Sequence, residues 1–177
     1  NFYSLQSEGR PSVITSGYDF YDDYRFETAL QTHMGESGVL FYVGEDRSCH
    51  DFTVKVDEGG RHGVFWLWRS RDFQEKGREV LAAVRAPVTL GQWLKLRVIA
   101  KDNRVRCYVD HSEVIDTPAE LPVGGRFGLY SSADEPVRFD DVEAATHQEL
   151  DLRTFERIQR HVFTLTGGFV PERGFWS

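Results

Sequence analysis

Cysteine is nearly absent: 177 residues hold only Cys49 and Cys107. Two thiols permit one disulfide, not the framework on which small secreted scaffolds depend, and no Cys-His spacing around them suits a zinc site. Buried free thiols are the expectation. Long apolar runs are missing as well. No stretch approaches the roughly 20 apolar residues that cross a bilayer as a helix, and no basic-then-apolar leader opens the chain. No membrane span is expected, and a start at Asn1 without an initiator Met fits a processed protein or an excised fragment. The third absence is positive charge. Lys and Arg number 21 against 28 Asp and Glu, for a net charge of -7, and binders of nucleic acid rely on clustered cations to neutralise phosphate. No nucleic-acid partner is expected.

Helical periodicity is scarce too, until the C-terminal end. In its place stands period-two alternation broken by short turns, the pattern of strands with one buried face. Tyr24 to Leu30, Phe52 to Val56, Leu94 to Val98 and Val105 to Val109 all alternate. Lys101-Asp102-Asn103 has tight-turn composition and makes 93–110 an antiparallel hairpin. Further strands are expected at 12–15, 39–43, 63–68, 79–84, 113–115, 126–130 and 137–144, with glycines between them. Such a series of short strands without a crossover helix predicts an all-β fold, a two-sheet antiparallel jelly-roll sandwich.

After Ala145 the pattern changes. Leu150, Leu152, Phe155, Ile158, Val162 and Phe163 fall near helical spacing, and Gly167-Gly168 supplies a stop. The expectation is a sandwich over 1–145 and, over 146–177, an amphipathic helix with an extended aromatic tail. Phe169, Phe175 and Trp176 in that tail would be costly to leave in water, so they are candidate contacts to a protein partner or a neighbouring domain.

The order of motifs resembles a known superfamily. Ile14-Thr15-Ser16-Gly17-Tyr18, then Tyr21-Asp22-Asp23-Tyr24-Arg25-Phe26-Glu27 and Gly38-Val39-Leu40-Phe41-Tyr42, are similar to the opening of concanavalin-like domains of the laminin-G-like and 3-keto-disaccharide-hydrolase-like kinds. The tryptophan-led strand from Trp93, the Tyr108-Val109-Asp110 turn, Gly125 to Tyr130 and Val137-Arg138-Phe139-Asp140-Asp141-Val142 continue the likeness, which covers 12–145. It implies the concanavalin-like sandwich but no single function, because this superfamily hosts lectins, adhesion modules, glucanases, lyases and spacers. Two features depart from it: the usual first strand is expected to be missing, and the C-terminal helix and tail lie outside the common core.

Candidate sites follow. Val137 and Phe139 share one parity while Val142 and Ala144 share the other, so a bulge is expected at Asp140-Asp141. Carboxylates beside such a distortion can ligate a hard cation. The resemblance implies a calcium ligand at Asp140, with Asp141 or backbone carbonyls completing the shell. The competing reading is an edge strand blunted by charge.

Trp66 and Trp68 share a face of their strand, where flat indoles could stack on sugar rings, with Tyr42, His50, Arg69 and Arg71 as polar neighbours. The alternative puts both indoles in the interior, as their apolar area favours. A retaining glycosidase needs two carboxylates about 5 Å apart. Glu113, Asp116 and Glu120 come nearest but are wrongly spaced, and Pro118 is expected to interrupt any strand there, so no catalytic pair is assigned. Lys95, Arg97, Arg104 and Arg106, with Tyr108, form a basic stripe read as a solvated sheet face or as a grip for an acidic sugar.

The expected function is a non-catalytic binding or interaction module. Carbohydrate is one candidate ligand, and the module would form part of a larger secreted or envelope (extracytoplasmic) protein or assembly. The rivals are a glycoside-active enzyme, of 3-keto-disaccharide-hydrolase or polysaccharide-lyase type, and a purely structural subunit of a complex.

Overall fold

Each alternating segment becomes a strand. The computed structural model describes residues 2–73 and 77–146. Over them run β1 (Tyr3–Leu5), β2 (Ser12–Ser16), β3 (Tyr24–Gln31), β4 (Glu36–Val43), β5 (Cys49–Val56), β6 (His62–Ser70), β7 (Glu79–Pro87), β8 (Trp93–Lys101), β9 (Arg104–Val109), β10 (Ser112–Pro118), β11 (Arg126–Ser131) and β12 (Val137–Thr146). Among the described residues there is no helix. Sheet A has the order β1-β12-β3-β8-β9-β10 and sheet B the order β2-β11-β4-β5-β6-β7. This is the antiparallel jelly-roll sandwich that the alternation predicts.

Side-chain parity decides what lies between the sheets. On β8, Leu94, Leu96, Val98 and Ala100 are buried, while Trp93, Lys95 and Arg97 face outward. Phe26 of β3, Phe41 of β4, Phe52 of β5, Phe65 of β6 and Phe139 of β12 are fully buried and meet in one core. Each buried ring of this kind contributes about 1.5–3 kcal/mol. Cys49 and Cys107 are free and buried, and burial holds both thiols protonated by pushing their pKa up.

The hairpin expected over 93–110 closes at Asp102-Asn103, both with positive φ (52° and 54°), the signature of a two-residue turn whose twist suits the flanking strands. Asp110-His111 repeats the device before β10, with φ of 46° and 72°. The bulge expected in the closing strand is present. The β12–β3 register slips between Asp140 and Glu143, and Asp141 takes a φ of 49°.

Two expectations need correcting. A first strand exists: β1 pairs with β12, Tyr3 opposite Phe139 and Leu5 opposite Val137. Its three residues are too few to display alternation, and only Leu5 is buried. Nor does Pro118 prevent a strand, since β10 runs to it as the edge of sheet A. Proline is tolerated at an edge because no neighbour needs its missing N–H. The sandwich continues one residue past Ala145, to Thr146. The helix and tail expected over 146–177, with Phe169, Phe175 and Trp176, lie outside the described residues from His147 onward.

Candidate functional site

On sheet B, residues of one parity line the core and those of the other face outward. Outward-facing Asp51 and Thr53 of β5 lie opposite Trp68 and Trp66 of β6, and Glu36 sits opposite Lys55 at the start of β4. Across them lies the side chain of Arg78, which precedes β7 and is only 4% exposed. Its Nη2 donates to Glu36 Oε1 and to Asp51 Oδ2, each at 2.6 Å, while its guanidinium stacks 4.3 Å from the Trp68 ring and 5.5 Å from the Tyr130 ring.

The surrounding hydroxyls complete a directed network. Thr53 Oγ1 donates to Glu36 at 2.6 Å and accepts from Trp68 Nε1 at 3.1 Å. Ser70 Oγ donates to Asp51 Oδ1 at 2.9 Å. Burial pushes the Asp51 carboxyl up to about 6, against the charge of Arg78 and the bond from Ser70. On Arg78, burial opposes the charge, but the Glu36 hydrogen bond and the two carboxylates outweigh it, and the net shift is upward. One polar atom of the network stays unpaired among the described residues: Arg78 Nε is buried without a hydrogen-bond partner. A buried donor left unpaired costs about 1–3 kcal/mol, so such atoms mark a place for a visiting acceptor or water.

Alongside this network the same face opens into a groove of about 1010 Å³, bounded by Arg10, Val13, Thr15, Arg47, Phe73 and Arg126. Phe73 and Val13 pack on Leu40, Val43 and Tyr130, so the groove adjoins the Arg78 cluster.

Strand parity splits the residues expected to form one site. Trp66 and Trp68 share the outer face, with ring centroids 5.8 Å apart, and are half-buried rather than interior. One face of Trp68 is taken by Arg78, which leaves Trp66 the freer indole. Arg69 and His50 pair with each other at the opposite parity and line a separate cavity with Tyr42 at the end of the sandwich. Tyr42 is itself fixed: its hydroxyl donates to Asp22 at 2.6 Å and its amide is held by the Tyr24 hydroxyl. Arg71 lies exposed beyond β6.

Asp140 and Asp141 flank the bulge, where Asp140 Oδ1 accepts the Asp141 amide at 2.9 Å and the Asp140 carbonyl accepts from Thr28 Oγ1. Calcium takes six to eight oxygens. Two carboxylates with one oxygen engaged fall short of that shell, and no cluster of three or more His, Cys, Asp or Glu suited to a metal occurs among the described residues.

The carboxylates set aside as a catalytic pair each have a partner: Asp116 binds Arg104 at 2.6 Å, Glu113 accepts from Tyr108 at 2.9 Å, and Glu120 lies 3.6 Å from Arg69. On the basic stripe, Lys95 pairs with Glu27 at 2.9 Å and Arg97 stacks on Tyr108. That is the balanced, solvated face.

The sequence model of the 3-keto-alpha-glucoside-1,2-lyase-like domain matches residues 4–144. The chain belongs to this family. No curated protein matches it in sequence. Among solved structures, the carbohydrate binding module CBM66 from Bacillus subtilis superposes with a TM-score of 0.63 at 19% identity, over 82% of this chain and 92% of that one. The Caenorhabditis elegans galectin LEC-6 does so with 0.55 at 12%, over 80% and 95%. A tetrameric galectin from the sponge Cinachyrella gives 0.53 at 12%, over 78% and 99%. At these identities the likeness is one of fold.

Arg78, Glu36, Asp51, Thr53 and Tyr130 were not singled out by sequence reasoning. Asp51 and Thr53 could have been, since they are the polar positions alternating with Phe52 and Val54. Arg78 gives no local signal: it lies between strands and reaches the face only through the fold.

Proposed function

We propose that this domain is a non-catalytic carbohydrate-binding module that holds its ligand on the outer face of sheet B, over the Arg78 cluster and the adjoining groove. The carrying observation is Arg78 buried between Glu36 and Asp51 on a face that, among the described residues, packs against no other sheet. Three charges taken out of water there cost more than an apolar cover would, which suits a preorganised set of donors and acceptors better than a stabilising device. Sugars present hydroxyls beside apolar ring faces; the buried Arg78 cluster holds Trp68 beside the half-buried Trp66, and the adjoining groove sets Arg10, Arg47 and Arg126 beside Val13 and Phe73. Membership of a family named for a 3-keto-glucoside lyase, and the fold shared with a carbohydrate-binding module and galectins, support the same ligand class. No helix among the described residues is long and apolar enough to cross a membrane, which is compatible with the extracytoplasmic setting that belongs to this proposal.

The test is an oligosaccharide array followed by calorimetry on the hits. Trp66→Ala and Glu36→Gln should each weaken binding about tenfold or more while the fold persists. A blank array, or hits that both variants keep, would sink the reading. Calcium at Asp140 and Asp141 is a separate proposal, in which backbone carbonyls and water supply the remaining oxygens. Binding or melting temperature unchanged by chelation would remove it.

A second reading, lyase activity, is favoured by the family and by Asp51, whose carboxyl near 6 suits proton transfer at neutral pH. Against it, Asp51 is 2% exposed beneath Arg78, out of reach of a substrate. Turnover of a 3-keto-glucoside that Asp51→Asn abolishes would reverse the order of the two readings.

A further inference from the structure

A buried imidazole needs partners for both ring nitrogens, one as donor and one as acceptor when neutral. His50 has neither. It is 3% exposed, and both nitrogens are buried without a hydrogen bond. Its ring is stacked on Phe41 at 5.5 Å, and it borders a cavity of about 260 Å³ also lined by Tyr42, Ser48, Arg69, Glu120 and Leu121. Burial, and secondarily the charge of Arg69, hold its pKa down to about 4, so near neutral pH it offers one donor and one acceptor.

The surroundings select the ligand. Arg69 is 2.6 Å from Glu79 and 3.6 Å from Glu120, so among the described residues the mouth carries no spare positive charge to draw an anion. A metal ion would meet one imidazole, a carboxylate that lies 3.6 Å from the Arg69 guanidinium and a thiol held protonated, which is no metal-ligand set. Hydroxyl groups both donate and accept, which is what His50, Arg69 and Glu120 together require. Leu121 and Pro122 supply an apolar wall for ring C–H groups. The volume lies below the range of drug-sized pockets and suits one ring.

We infer that this cavity is a second binding site, taking one neutral polyhydroxy ring of monosaccharide size through His50, Arg69 and Glu120. It is distinct from the face of sheet B, because His50 and Asp51 are neighbours on β5 and point to opposite sides of the sheet. Ligand on the sheet face neither creates nor fills it.

The experiment adds D-glucose, D-galactose, D-mannose, D-fructose and myo-inositol, with D-glucuronate as the charged control, to the full chain and follows the His50 ring nitrogens by 15N NMR. The expected result is a saturable shift of both nitrogens with at least one neutral ring and none with glucuronate. His50→Phe, which keeps the stack on Phe41, should lose that binding about tenfold or more. Glu120→Gln, at an exposed side chain that cannot unfold the core, should weaken it, and Trp66→Ala should leave it unchanged. No saturable shift with any neutral ring would overturn the site, as would full affinity in both His50→Phe and Glu120→Gln. Because Trp66→Ala reads only the sheet face, failure there and failure here are separable.

Discussion

Arg78 illustrates how one side chain can dominate a surface. Removing it as Arg78→Met should cost about 3–5 kcal/mol, because two buried carboxylates would then face each other unpaired. Adding Glu36→Gln and Asp51→Asn should recover much of that loss, a non-additivity that denaturant unfolding of the single and triple variants would measure. Additive losses would show that the three groups act independently.

Asp51 and His50, adjacent on β5, respond oppositely to pH. The His50 pKa is near 4 folded against 6.5 unfolded, so its contribution is present above 6.5 and is lost as pH falls toward 4. The Asp51 carboxyl is near 6 folded against 3.8, so its contribution is present below 3.8 and is lost as pH rises through 6. In the overlap they offset each other. His50→Phe should therefore gain on the native chain between pH 6.5 and 4, by on the order of 3 kcal/mol in unfolding experiments. A difference independent of pH would mean that the imidazole is not held neutral.

At the level of elements, turns and close approaches set the register. Asn103 supplies the positive φ of the β8–β9 turn, but it also ties down the segment after β10: its Oδ1 accepts the Leu121 amide at 3.1 Å and its carbonyl the Ala119 amide at 2.9 Å. Asn103→Gly should keep the hairpin, since glycine takes that φ freely, while the Leu121 amide loses protection in hydrogen exchange. Unchanged protection would mean that the side-chain bond does no holding. Gly38 is constrained differently. A Cβ there would strike the carbonyl oxygen of Phe52 on the neighbouring strand, so Gly38→Ala should force β4 and β5 apart. A loss of about 1–3 kcal/mol in stability is expected, together with weaker binding on the adjoining face, whereas a neutral variant would show that the strands can give way.

At the scale of the whole molecule, β1 closes an edge. It covers β12, buries Leu5, and is extended by the Ser7 amide donating to Ala133. Deleting residues 1–10 should expose the β12 ladder and a gap in the core, giving self-association in light scattering and a lower melting temperature. A monomer of unchanged stability would show β1 to be dispensable.

The sequence by itself determined the class of fold, eleven of the twelve strands among the described residues, the two tight turns and the bulge at Asp140-Asp141, because alternation, turn residues and parity slips are local and survive in one dimension. It also determined that Trp66 and Trp68 share a face. Only the tertiary structure decided that Trp68 is capped by Arg78, that His50 and Arg69 belong to another cavity than the tryptophans, and that a three-residue strand completes sheet A. Those facts depend on which strands become neighbours and on a side chain arriving from between strands. Long-range pairing of that kind leaves no period in the sequence.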